Sequence, residues 1–232
     1  MQNPKYGSTK EKTHAARVSR LIGDPCSDLF RDILRNHVTE MAFPGVLQRE
    51  KSNLSPILNR AQRELLYPHK GQFQKTYEDF DLSLLYTLLR NISGINSHSK
   101  GWGKPPDPAD RSISANIDRI REIRNTYCGH SASVSLSDQD FSNLWQDASV
   151  IIAELEKAIP ESGTKYSSAA KILKSENMDP EQEEYHLAVI DKQNMIMEDL
   201  SKKQEKAFEE FSKEMAGIEH FIIIIYMYVI SC

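Results

Sequence analysis

Apolar residues recur along this chain at spacings of three and four, and the period carries through to Ile159. The pattern predicts a first helix from Thr13, with Ala16, Val18, Leu21 and Ile22 inward and a break at Gly23. Asp24 then reads as an N-cap and Pro25 as the first residue of a second helix, whose buried face is Leu29, Phe30, Ile33, Leu34 and Val38. Pro44-Gly45 punctuates the chain, and a shorter helical stretch spans Leu54, Ile57, Leu58, Ala61, Leu65 and Leu66. The most hydrophobic helix follows, from Phe80 through Leu84, Leu85, Leu88 and Leu89 to Ile92, with Asp79 or Asp81 at its start and Gly94 at its end. Beyond a loop from about Asn96 to Asp110, Ile113, Ile117, Ile120, Ile123 and Tyr127 form one seam. Phe141, Leu144, Trp145, Ala148, Ile151, Ile152, Leu155 and Ile159 form another, opened by Ser137 and stopped by Pro160. No alternating strand-like run interrupts these helices, so an all-α, antiparallel helix bundle is the expected fold.

The pattern weakens after Pro160, and the organisation reads as five parts. Residues 1–12 are a disordered lead-in, 13–159 the bundle, 160–180 a polar linker, 181–219 a charged helix, and 220–232 a short apolar tail. The charged extension is too irregular for a regular coiled-coil heptad, so a solvated or partner-binding helix is expected. The tail holds Phe221 to Ile230, too short to cross a hydrocarbon core, and reads as the accidental or truncated end of a gene model, as part of a longer membrane segment, or as a short buried element.

Charge sharpens this division. The chain carries −4 overall, which argues against an electrostatic magnet for nucleic acid while leaving room for a local basic groove. Residues 1–159 hold 21 Lys and Arg against 19 Asp and Glu, whereas residues 160–232 hold 8 against 14. Cys26, Cys128 and Cys232 are scattered, and the seven histidines share no ligand spacing, so no metal or cofactor site is readable. A reducing, cytoplasmic setting is the expectation, with membrane association only through the tail.

Four blocks then point to a family. They are Phe80 to Ile92, the loop from Gly101-Trp102 to Pro108 leading into Ala115-Asn116-Ile117, Ile123-Arg124-Asn125-Thr126-Tyr127-Cys128-Gly129-His130, and Phe141 to Trp145. In this order the blocks resemble the HEPN family of the kind carried by the DAZ-interacting zinc-finger ubiquitin ligase and by many invertebrate multidomain proteins. The resemblance covers roughly residues 13–159. It implies an all-α bundle that commonly forms a homodimer. In active family members an Arg, four to six residues and a His cleave RNA without metal at a cleft shared by two protomers. Other members bind RNA or nucleotide, or assemble with partner proteins in signalling or defence systems, without turnover. Ubiquitin ligase activity does not carry over, because three scattered cysteines cannot build a zinc-bound ligase module.

Mapped on this chain, the resemblance puts His130 in place as acid and base, Arg124 as phosphate stabiliser and Asn125 as the orienting amide. Histidine titrates near neutrality and the guanidinium is always charged, which suits those tasks. The plainer reading stands beside it: Arg and His near a helix C-terminus, followed by Gly, also make an ordinary helix end. Arg119, Arg121 and Lys104, with Lys100, could widen an RNA-binding face, and Trp102 could stack a base. Asp118 and Glu122 interleave with those cations, so a solvated helix of mixed charge is the competing expectation.

Overall fold

Thr9 opens the first helix, its Oγ1 accepting the Lys12 N–H at 3.3 Å. Helix α1 therefore runs Lys10–Leu21, and the expected lead-in gives up its last residues to it. The structure is a computed structural model and describes residues 9–69, 73, 75–128, 136–159, 161–176, 185, 186, 188 and 192. The chain divides into two units, Met1–Asp191 and Lys192–Cys232, and every element named below belongs to the first. Apart from those few residues beyond 176, the charged stretch 181–219 and the tail 220–232 lie outside the described part.

The break expected at Gly23 does not occur. Ile22–Cys26 forms a π-helical turn that runs directly into α2, Ser27–His37. Pro25 has no N–H to give, and its ring needs room against the preceding turn; the wider π turn supplies that room. Ile22, Pro25 and Cys26 are buried at this joint, so packing keeps the two helices continuous. Ser27 Oγ donates to the Ile22 carbonyl at 3.1 Å and occupies an acceptor that the altered turn displaces.

Helix α2 turns Leu29, Phe30, Ile33 and Leu34 inward, against α6, Leu82–Ile92, whose buried residues include Leu84, Leu85, Leu88 and Leu89. Each such side chain contributes roughly 1.5–3 kcal/mol when fully withdrawn from water. Asp81 caps α6, with the Leu84 N–H donating to its Oδ1 at 2.7 Å. Asp79, the other candidate, instead closes the preceding 3₁₀ turn, accepting from the Thr76 N–H at 2.9 Å.

Between α2 and α6 the expected single short helix is split. Helix α3 is Phe43–Arg49, with Pro44 in its first turn; α4 is Lys51–Leu54, and α5 is Arg60–Leu66. Asn59 and Gln62 form a reciprocal cap at the start of α5. Arg31 ties this region to α2, donating to the carbonyls of Tyr77 at 3.0 Å and Phe80 at 2.9 Å.

Helices α7, Ile113–Cys128, and α8, Asp138–Glu156, pack side by side, and α1 lies against both. Residues 165–175, expected within a polar linker, form helix α9 and pack on α8. Tyr166, Ala170 and Leu173 are its buried positions, too sparse a pattern to stand out in a polar sequence. Its start is fixed by Glu156, a buried carboxylate that accepts from the Tyr166 N–H at 2.5 Å, the Ser167 N–H at 3.2 Å and the Ser167 hydroxyl. Tyr166 reaches α2, donating its hydroxyl to Asp32. Among the described residues there is no strand, and no helix is long and apolar enough to cross a membrane.

Replacing Glu156 by Ala removes the cap and strands buried donors, so urea unfolding of the Glu156→Ala chain should show a loss of about 2 kcal/mol. Amide exchange in Tyr166–Leu173 should accelerate more than in α6. Unchanged exchange there would mean that α9 is held by its apolar face alone.

Candidate functional site

Helix α7 carries the candidate residues, and one of its buried side chains organises their surroundings. Ile117 and Ile120 face the core, and Asp118 between them has no accessible surface. The expectation of a solvated mixed-charge helix therefore fails at Asp118. Its carboxylate accepts from the Tyr86 hydroxyl at 2.8 Å, from His98 Nε2 at 3.0 Å and from the Gly103 N–H at 3.0 Å. The Lys100 N–H donates to His98 Nδ1 at 3.3 Å, so that nitrogen is an acceptor and the ring carries its proton on Nε2. Burial, and then the bond to Asp118, pushes the Tyr86 phenol above its ordinary pKa.

Those contacts pin the loop 96–110 to α6 and α7. Gly103 adopts a φ of +81°, and a Cβ there would lie 3.7 Å from the Tyr86 hydroxyl and 3.6 Å from Arg90. The positive φ selects glycine, while the space itself would admit a Cβ in ordinary contact. Trp102 packs edge-on against Tyr86 with centroids 6.1 Å apart. Arg121 lies over the other part of the same arrangement, its guanidinium 5.3 Å from the Tyr86 ring centroid and 3.8 Å from Asp118. It also donates to the Gly103 carbonyl at 3.4 Å.

Arg119 is similarly engaged. It donates to Asn116 Oδ1 at 2.7 Å and to the Asp107 carbonyl at 2.7 Å. Asn116 is itself buried and reaches Glu154 on α8 at 2.9 Å. Of the residues considered for an RNA-binding face, Arg119, Arg121 and Trp102 thus hold the loop in place, while Lys104 is exposed. Glu122 is partly buried, and that burial raises its carboxyl pKa.

Arg124 stands one helical turn beyond Ile120 and is only 6% exposed. Its Nη1 donates to Asn125 Oδ1 at 3.2 Å, so the Arg and the polar residue after it act together. Thr126 is exposed and Tyr127 half-buried. His130 lies outside the described residues, so its distance from Arg124 is not part of the structure. A different histidine stands at this end of the bundle. His14 of α1 is buried, stacks on Phe141 at 4.0 Å and contacts Asp138, the first residue of α8, at 2.9 Å. Hydrogen bonds from Lys10 and then His14 hold the Asp138 carboxyl below its ordinary pKa. The Leu136 N–H donates to the Glu11 carbonyl at 3.2 Å, which brings the entry to α8 alongside α1. No sequence spacing announces a pair 124 residues apart.

Among the described residues no group of three or more His, Cys, Asp or Glu side chains is placed to hold a metal ion. The arrangement offers instead a buried cation with an amide partner at the end of α7, and a loop fixed beside the same helix.

The family model described as DZIP3/hRUL138-like HEPN matches residues 30–186. Two curated relatives, the E3 ubiquitin-protein ligase DZIP3 of Mus musculus and that of Homo sapiens, are each 27% identical over 136 residues. The match covers 53% of this chain and 11% of each relative, so the likeness is to a small part of those proteins. No solved structure matches.

The Asp118→Ala chain should lose about 3 kcal/mol in chemical denaturation, because three donors, the buried His98 among them, lose their acceptor together. Limited proteolysis should then cut within 96–110 in the variant and spare the parent. Equal stability and equal resistance would show that the loop is held by packing of Trp102 and not by the carboxylate.

Proposed function

We propose that this chain, which belongs to the DZIP3/hRUL138-like HEPN family, is an RNA- or nucleotide-binding and assembly module that acts as a homodimer within a larger intracellular signalling or defence system. The observation that carries the choice of binding over turnover is the state of Arg124. A phosphate-stabilising guanidinium must meet the reacting group, since charge in the transition state is stabilised only by donors aimed at it. Here the Arg124 side chain is buried, and its Nη1 donates to Asn125 Oδ1. That geometry suits a cation that shapes the end of α7 and takes part in assembly. Lys104 on the fixed loop provides exposed charge.

Metal-free ribonuclease activity is the second reading, and the motif itself favours it. Arg124, Asn125 and His130 keep the order and spacing of the family's active members. In that case the second protomer would draw Arg124 toward the shared cleft, with His130 moving the proton of the 2′-hydroxyl or of the leaving oxygen.

Fluorescence anisotropy with a labelled single-stranded RNA, run beside a gel assay for its integrity, separates these readings. Binding without cleavage is expected; Arg124→Ala should weaken it about fivefold or more by loosening the end of α7, with the salt dependence unchanged, while Lys104→Ala should make that dependence shallower. Circular dichroism of the variant controls for folding. Cleavage that disappears in both Arg124→Ala and His130→Ala would establish the ribonuclease instead. Absence of RNA and nucleotide binding, with the chain monomeric in sedimentation, would remove the proposal altogether.

A further inference from the structure

A second polar surface lies on the α4–α5 corner, built from other residues than the α7 end. Two adjoining hollows of about 550 and 590 Å³ share Lys51, Tyr67 and Pro68. One is walled by Lys51, Arg60, Arg63 and His69, with Glu64 as the carboxylate in its lining. The other continues over Tyr67 to Leu47, Leu66 and Phe73. Cations thus stand at one end and an aromatic and aliphatic wall at the other, in a chain whose overall charge is −4.

The cations are incompletely neutralised. Arg60 pairs with Glu64 at 2.9 Å, an exposed contact one helical turn apart, which contributes little in water. Among the described residues neither Lys51 nor Arg63 forms an ion pair. Arg63 donates one nitrogen to the Leu58 carbonyl at 3.1 Å, which orients its guanidinium. The Lys51 ammonium sits 5.5 Å from the centroid of the Tyr67 ring. That ring is held in place because its hydroxyl donates to the Leu47 carbonyl at 3.0 Å. Two cations and a fixed aromatic face, side by side in a concave surface, match a ligand with a phosphate at one end and a planar base at the other.

The geometry points to this corner as a binding site for a nucleotide unit, its phosphate between Lys51 and Arg63 and its base against Tyr67. The unit is either a free mononucleotide or one residue of a single strand. This site uses none of the residues of α7, so it stands or falls apart from the reading given above for Arg124.

The test is a titration of the isotopically labelled full chain, followed by amide NMR, with AMP, an eight-residue oligouridylate, inorganic phosphate and a phosphoserine peptide. AMP should shift the amides of Lys51–Ser55 and Arg63–Tyr67, and phosphate alone should bind at least about tenfold more weakly. Lys51→Ala with Arg63→Ala should weaken AMP about tenfold or more at unchanged melting temperature. Tyr67→Leu should weaken it several-fold, and Tyr67→Phe should weaken it less, because the ring meets the base while the hydroxyl only fixes the ring against Leu47. Tighter binding of the oligonucleotide assigns the site to a strand, and tighter binding of AMP to a free nucleotide. The proposal is overturned by any of three results: no shift at these amides, phosphate binding as tightly as AMP, or preference for the phosphopeptide.

Discussion

A buried carboxylate cannot be left without donors, and Asp118 meets that requirement by recruiting a loop. Tyr86 from α6, His98 from the loop and the Gly103 N–H converge on it where no water reaches. The apolar seams would hold α6 and α7 together without it. They would not specify where residues 96–110 lie, since that loop has only Trp102 as a large apolar side chain. Once Gly103 is fixed, Arg121 finds its carbonyl and Arg119 finds that of Asp107, so most of the positive charge of α7 is committed to structure. The chemical character of the end of α7 follows from this commitment.

The same device recurs at other joints of the bundle. Glu156 holds the start of α9, and Arg31 gathers the connection before α6. Lys10 and His14 also meet Asp138, the first residue of α8, but there the carboxylate is exposed and the contacts are screened by water. Helix faces are set by burial, while polar side chains set how the ends meet. Directed bonds suit that role because apolar contacts alone tolerate small slides between helices, whereas a buried unsatisfied group does not.

This division explains what could be read from the chain in advance. The seams of α2, α6, α7 and α8 follow the helical period and need only local residues to be recognised. Helix α9 escaped because three buried positions in eleven residues, after Gly163, look like a linker, and its cap lies on the previous helix. The continuity through Pro25 escaped because propensity rules place a start there and tertiary packing overrides them. At the site, the Arg124–Asn125 pair is legible as neighbours, and the family blocks give it meaning. The ties of His98 to Asp118, across 20 residues, and of His14 to Asp138, across 124, belong to the fold and leave no local trace.

Membership in the DZIP3/hRUL138-like HEPN family is shown by the match over residues 30–186, and the proposal that the α7 end engages RNA is the step beyond it. The most direct measurement is photo-crosslinking of single-stranded RNA to the full chain, with the modified peptides identified by mass spectrometry. The expected result is a crosslinked peptide within Ile113–Cys128 or the loop 96–110, lost when unlabelled RNA is added in excess. Crosslinks that avoid both segments, under conditions where RNA binds, would contradict the assignment of the α7 end as the binding site.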